Sequence, residues 1–135
     1  MTSTLAFKLR DDGESIEALL PRRKAADAGA GTDRRRLLCA ACGLAVTGVD
    51  NRIHRDGAHE HRFANPLGLE FRIGCFDAAP GCALIGQATG EHTWFAGFAW
   101  RIGLCRRCGT HLGWGYRGGG EGFFGLILDR LRQAD

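Results

Sequence analysis

The chain has 135 residues, 44% of them hydrophobic and 24% charged, with a formal net charge of +3. This length suits a single domain, the composition excludes a wholly disordered chain, and there is no run of about 18 apolar residues to span a membrane. The charge is mild, and its one short run, Arg34-Arg35-Arg36, reads as a solvated segment edge rather than a nucleic-acid footprint.

Taken in order, the N-terminal MTSTLAFKLRDD lacks the apolar core of a secretory signal. Ser15 to Leu20 can form a short helix that Pro21 stops. The following RRKAADAGAGTDRRR has no apolar periodicity and reads as a mobile linker. Residues 1–36 are therefore expected to be a partly disordered N-terminal extension, and 37–135 one ordered domain. Within that domain the signals are those of β structure. Leu37 to Cys39 ends a strand at a tight turn, and Leu44 to Val49 is a short strand. The polar stretch from Asn51 to Glu60, which holds His54 and His59, reads as an exposed loop, and His61 is read with it. Asn65-Pro66-Leu67-Gly68 is a turn. Glu70 to Phe76 alternates as a half-buried strand does. Further strands are expected from Leu84, over Phe98 to Leu104, over His111 to Tyr116 and, last, over Phe123 to Ile127. Gly118-Gly119-Gly120 makes a hairpin tip, and Asp129 to Arg132 a helical turn or tail.

Six cysteines are present, and four of them form two matching pairs, Cys39-Ala40-Ala41-Cys42-Gly43 and Cys105-Arg106-Arg107-Cys108-Gly109. In a reducing cytosol, the expected compartment, metal thiolates are the better reading than disulfides. Each pair offers two sulfurs from one turn, which suits tetrahedral Zn2+. Four protein ligands leave no open coordination position, so the ion is expected to be structural. The bland alternatives are free buried cysteines, or a redox pair at one motif. Cys75 and Cys82 lie outside the pattern and read as small apolar residues. A second metal site at His54, His59 and His61 is the weaker reading of that segment.

All three tryptophans, Trp94, Trp100 and Trp114, lie in EHTWFAGFAWRIGLCRRCGTHLGWGY, residues 91–116, around the second cysteine pair. With Tyr116 they could be ordinary core. Three features favour a small-ligand pocket. Gly97 lets the segment bend between Trp94 and Trp100, Gly113 and Gly115 leave Trp114 unshielded, and His92 and Thr93 put polar groups at the mouth. Indole walls accept cations or flat neutral rings. Glu91 is the nearest carboxylate and adjoins none of the three, which disfavours a cation.

His92-Thr93-Trp94-Phe95-Ala96-Gly97-Phe98-Ala99-Trp100, Cys105-x-x-Cys108 and His111-Leu112-Gly113-Trp114 together resemble the thalidomide-binding (CULT) domain family of cereblon. Asn65-Pro66-Leu67-Gly68, Leu84-Ile85-Gly86 and Phe123-Phe124-Gly125-Leu126 extend the resemblance from about Leu37 to the C-terminus, and it is strongest to stand-alone bacterial members. It implies a mainly β fold, the β-tent, in which two antiparallel sheets are pinned by a structural zinc. It implies a cage walled by Trp94, Trp100 and Trp114, supported by Phe71 and Tyr116, with Asn65 and Pro66 on a neighbouring loop. Its ligands would be cyclic imides such as glutarimide, uridine-like rings, or cyclised C-terminal Asn or Gln. By similarity the His92 carbonyl accepts the imide N–H, the Trp94 amide donates to one carbonyl, and the His92 side chain donates to the other. Thr93 stands where serine is frequent. The chain has no room for the family's Lon-like domain or ligase-adaptor helices, so no ubiquitin-ligase partner is carried over. A binding function without catalysis is the leading expectation. The alternative is a thiol-dependent reductase of the methionine sulfoxide reductase-like β-tent group, which would need Cys75 or Cys82 as its reactive thiol.

Overall fold

The computed structural model describes residues 35–134; the helix expected over Ser15 to Leu20 and nearly all of the expected linker lie outside them. The described strands are β1 (Arg36–Cys39), β2 (Ala45–Gly48), β3 (Glu60–Ala64), β4 (Glu70–Phe76), β5 (Cys82–Thr89), β6 (Ala99–Cys105), β7 (His111–Gly118), β8 (Glu121–Ile127) and β9 (Leu131–Gln133). Short 3-10 turns lie at Val49–Asn51 and Leu128–Arg130. The strands pair into two antiparallel sheets, a small one ordered β2-β1-β9 and a large one ordered β3-β4-β8-β7-β6-β5. This is the mainly β, two-sheet arrangement expected of the chain.

Period-two alternation assigns most side chains of the large sheet to two cores, and a register shift between β6 and β7 at Gly103/Leu104 sends Leu112 to the face opposite Trp114. Phe76, Leu112 and Leu126 pack with Val46, Leu44 and Cys39 of the small sheet's region. Ile73, Cys75, Phe123 and Ile127 pack on the opposite side with Phe95, Trp114 and Tyr116. The expectation of a half-buried β4 therefore holds only at its start. From Ile73 onward both faces are buried, because the small sheet's core covers the face that alternation had left to solvent.

β7 and β8 are joined by a two-residue turn, with Gly118 paired to Glu121 and both Gly119 and Gly120 at positive φ (58° and 84°). Only glycine adopts that pair of angles at no steric cost, and the turn's twist matches that of the strands.

Three sequence expectations are corrected. The last strand is β9 rather than β8: after the Leu128–Arg130 turn, Leu131–Gln133 pairs with β1 through Cys39↔Leu131 and Leu37↔Gln133. Three residues of mixed polarity carry no periodic signal, so only the pairing reveals the strand. The ordered structure begins at least at Arg36, which pairs with Gly48. The third concerns the histidines. His54 is exposed, but His59 and His61 are half-buried. His59 Nδ1 bonds to the Ile53 carbonyl oxygen at 3.1 Å and its ring packs on Phe76, while His61 Nε2 bonds to Ala58 at 3.0 Å and its ring stacks on Phe63.

Candidate functional site: a four-cysteine centre and an aromatic cluster

The two cysteine turns are built alike. The Gly43 N–H donates to the Cys39 carbonyl at 2.8 Å, and the Gly109 N–H to the Cys105 carbonyl at 2.9 Å. The Cys39 N–H donates to Leu44 at 2.8 Å and the Cys105 N–H to Thr110 at 2.7 Å. Gly43 and Gly109 take φ of 83° and 80°, the left-handed conformation that lets the chain reverse behind the second sulfur. One turn leaves β1 of the small sheet and the other leaves β6 of the large sheet, so the centre ties the two sheets together.

The four sulfurs, of Cys39, Cys42, Cys105 and Cys108, lie within 4.8 Å of one another. Cys39 and Cys108 Sγ are 3.7 Å apart, and Cys42 and Cys105 Sγ 3.6 Å. Zinc–sulfur bonds of about 2.3 Å in a tetrahedron require sulfur–sulfur edges of about 3.8 Å. The donor set and its spacing fit structural zinc. Burial pushes the Cys105 thiol up to about 12, while the Thr110 hydroxyl, 3.0 Å from Cys108 Sγ, draws that thiol down to about 6. A bound divalent cation overrides both effects, since a coordinating thiol is deprotonated outright. Arg107 reaches across the centre to donate to the Cys42 carbonyl at 3.2 Å.

The aromatic cluster lies on the other side of the large sheet. Trp100 and Tyr116 are paired across β6 and β7, as are Ile102 and Trp114. Trp100 and Trp114 thus stand on one sheet face as diagonal neighbours, a separation that aromatic side chains can bridge. Trp94 comes from the β5–β6 connection, which reaches over to β3. Its ring stacks on Phe63 (4.9 Å between centroids) and meets Trp114 edge-on (4.9 Å). Its indole N–H donates to the Ala64 carbonyl at 3.3 Å. Phe95 pins the connection from beneath, packing edge-on against Tyr116 (4.9 Å) and Phe123 (5.0 Å). Phe71 supports the pair, 5.4 Å from Trp114 and 6.1 Å from Trp94. Trp100 contacts neither tryptophan ring among the described residues, and its indole N–H is held by the Glu91 carbonyl at 2.8 Å.

Part of the chain is similar in sequence to known proteins. An alignment 82 positions long, covering 54% of this chain, is 33% identical to protein cereblon of Gallus gallus. Segments of 52 residues are 40% identical to protein cereblon of Xenopus tropicalis and 38% identical to that of Danio rerio. The domain is cereblon-like. The matches span only 12% to 18% of the length of those relatives. No protein-family model matches the chain.

The remaining residues singled out in the sequence take varied places in the cereblon-like domain. Asn65 organises its turn: its side-chain oxygen accepts the Leu67 and Leu69 N–H groups, both at 2.9 Å. Pro66 is exposed beside it. Thr93 is engaged in its own turn, its hydroxyl accepting the Phe95 N–H at 3.3 Å. His92 is exposed and takes φ 58°, a strained conformation for a residue with a side chain. Tyr116 is buried under Phe95 and stacks on Phe123 at 5.0 Å, one layer behind the indoles.

The glycines do different work from that expected. Trp114 keeps only 9% of its surface exposed despite Gly113 and Gly115. A Cβ at Gly113 would collide with the Gly125 backbone and lie 2.8 Å from Leu126 Cα, and one at Gly115 would lie 2.6 Å from Leu84. They serve close strand packing rather than exposure of the ring. Gly97 does bend the chain, at φ 87° in a turn closed by the Phe98 N–H on Phe95 (3.0 Å). Sequence reasoning missed Phe63, the ring beneath Trp94. Its signal was the β3–β4 register, in which Phe63 lies opposite Phe71.

Proposed function

We propose that this cereblon-like domain binds a small, flat, cyclic imide between Trp100 and the Trp94–Trp114 pair, without catalysis. Glutarimide-type rings, uracil-like rings and cyclised C-terminal Asn or Gln share the required edge, one N–H between two carbonyls. The carbonyl of His92 would accept the N–H, the amide of Trp94 would donate to one carbonyl, and the His92 side chain to the other. One observation carries this reading. Among the described residues, the His92 carbonyl and Trp94 amide have no hydrogen-bond partner, on a segment otherwise tied down by Thr93, Phe95 and both neighbouring indoles. An acceptor and a donor two residues apart, held rigid at the lip of an aromatic cluster, match that edge. Apolar walls exclude water, so a ligand lacking the edge would leave these groups unsatisfied.

The reading carries the rest of the assignment with it: a ligand-binding unit from β1 onward, an N-terminal extension before it, and neither nucleic acid nor membrane as partner. No helix among the described residues is long and apolar enough to cross a membrane. The thiolate ligand set suits a reducing cytosol, where the protein is proposed to act.

The thiol-reductase alternative lacks a suitable nucleophile. Cys75 and Cys82 are 0% and 1% exposed. Burial pushes the Cys75 thiol up to about 11 and the Cys82 thiol higher still. A reactive cysteine needs the opposite on both counts.

The test is Trp100→Ala. Trp100 is half-exposed and outside the ring contacts, so its loss should abolish glutarimide binding while the protein stays folded and keeps its zinc. Undiminished binding by the folded variant would remove the slot from the account.

A further inference from the structure

Three indole N–H groups enter the aromatic cluster, and two are committed. Trp94 Nε1–H donates to Ala64 at 3.3 Å and Trp100 Nε1–H to Glu91 at 2.8 Å. Trp114 Nε1–H has no acceptor among the described residues, although Trp114 is buried to 9% exposure. Buried polar groups are with few exceptions hydrogen-bonded, and a buried indole N–H usually finds a partner. No hydrogen bond joins the Trp114 nitrogen to the described residues around it. Its ring neighbours are Phe71 (5.4 Å), Trp94 (4.9 Å) and His111 (4.9 Å). The one nitrogen of His111 that is engaged is Nε2, held by the Gly113 carbonyl at 3.0 Å. The Trp114 nitrogen is nevertheless not sealed into the protein interior. A donor that no described residue satisfies, and that is not sealed from the surface, lies among the rings of the candidate site.

We propose that Trp114 Nε1–H is a ligand donor that sets specificity, taking the second carbonyl of a bound cyclic imide. The inference rests on the ring-binding reading above and deepens it. One imide carbonyl is matched by the Trp94 amide. The resemblance assigns the other to the His92 side chain, but His92 is exposed on a connection, whereas Trp114 is held in β7 between β6 and β8. A donor held in a strand costs less ordering on binding than an exposed side chain. The ligand class that follows is a ring with acceptors on both sides of its N–H. A lactam, with an acceptor on one side only, is discriminated against.

The test compares glutarimide with 2-piperidinone by calorimetric titration of wild-type protein, Trp114→Phe and His92→Phe. Trp114→Phe keeps an aromatic wall and removes the donor. It should weaken glutarimide about tenfold and leave 2-piperidinone nearly unchanged, and His92→Phe should keep the preference for the imide. Equal weakening of both ligands by Trp114→Phe, or loss of the preference in His92→Phe instead, would overturn the assignment. Absence of glutarimide binding by the wild type would sink the ring-binding reading and this donor together. A wild-type measurement guards against a variant that fails to fold. In nitrogen-15 spectra, the Trp114 indole N–H should shift downfield and exchange more slowly with glutarimide but not with 2-piperidinone. An unchanged Trp114 resonance under saturating glutarimide would also overturn it.

Discussion

The four-cysteine centre and the aromatic cluster occupy opposite sides of the large sheet, and they are assembled by different means. The centre is made of two local turns with the same five-residue pattern and matching backbone hydrogen bonds, each complete within its own stretch of chain. The aromatic cluster has no local unit. Trp94 comes from a connection, Trp100 from β6, Trp114 from β7, Phe71 from β4 and Phe63 from β3, and only strand register brings them together. The first region should therefore govern whether the domain folds, and the second what it recognises.

Chelation is the broadest way to break that division. Structural zinc contributes roughly 10–16 kcal/mol of apparent binding energy, as much as the whole stability of a small domain, about 5–15 kcal/mol. Removing the metal, or Cys39→Ser at the fully buried ligand, should abolish the cooperative thermal transition and with it all ligand binding. Circular dichroism during chelator titration reads the outcome.

The next largest effect separates the tryptophans from one another. Trp114 is buried in the core as well as proposed as a wall, so Trp114→Ala should cost about 3–5 kcal/mol of stability as well as binding. Trp100→Ala should cost binding with a much smaller change in stability. Denaturant unfolding of the two variants side by side measures the difference.

His111 links the two regions, with its ring on Trp114 and its carbonyl taking the Arg130 guanidinium at 2.8 Å. Burial and the Arg130 charge lower its pKa from 6.5 to about 4. The unfolded chain then binds the extra proton between those values, so stability falls as pH drops from about 6.5 towards 4 and is fully present above that window. The whole contribution is up to about 3 kcal/mol. His111→Gln should flatten this part of the pH profile, measured as midpoint shifts in urea relative to wild type.

The smallest effect belongs to the connection that carries Trp94. Gly97 sits at φ 87° with open space around the position of a Cβ, so Gly97→Ala meets backbone strain rather than a clash. It should cost about 1 kcal/mol and weaken imide binding while leaving the cysteine centre unchanged. Thermal denaturation and calorimetry separate the two.

The same contrast explains what could be read from the sequence. The cysteine centre was legible in full, because Cys39, Cys42, Cys105 and Cys108 and their glycines announce it at fixed spacing. The strands that alternate, such as Glu70–Phe76, were legible as strands. Their second buried face was not, because it depends on where the small sheet lies. β9 was missed because Leu131–Gln133 is a strand only by pairing with β1. The tryptophans were legible as a cluster, but Phe63 was not, since its place under Trp94 follows from the β3–β4 register. Gly113 and Gly115 were misread because what crowds them, the β8 backbone and the Leu84 side chain, follows from strand pairing rather than from their neighbours in sequence.

The most direct test of the central claim is a titration with glutarimide, followed by tryptophan fluorescence, with N-methylglutarimide as the control. A saturable change is expected with glutarimide and none with the methylated ring, since the methyl group removes the N–H that the His92 carbonyl would accept. No change with glutarimide in folded, zinc-loaded protein, or an equal response to both rings, would contradict it.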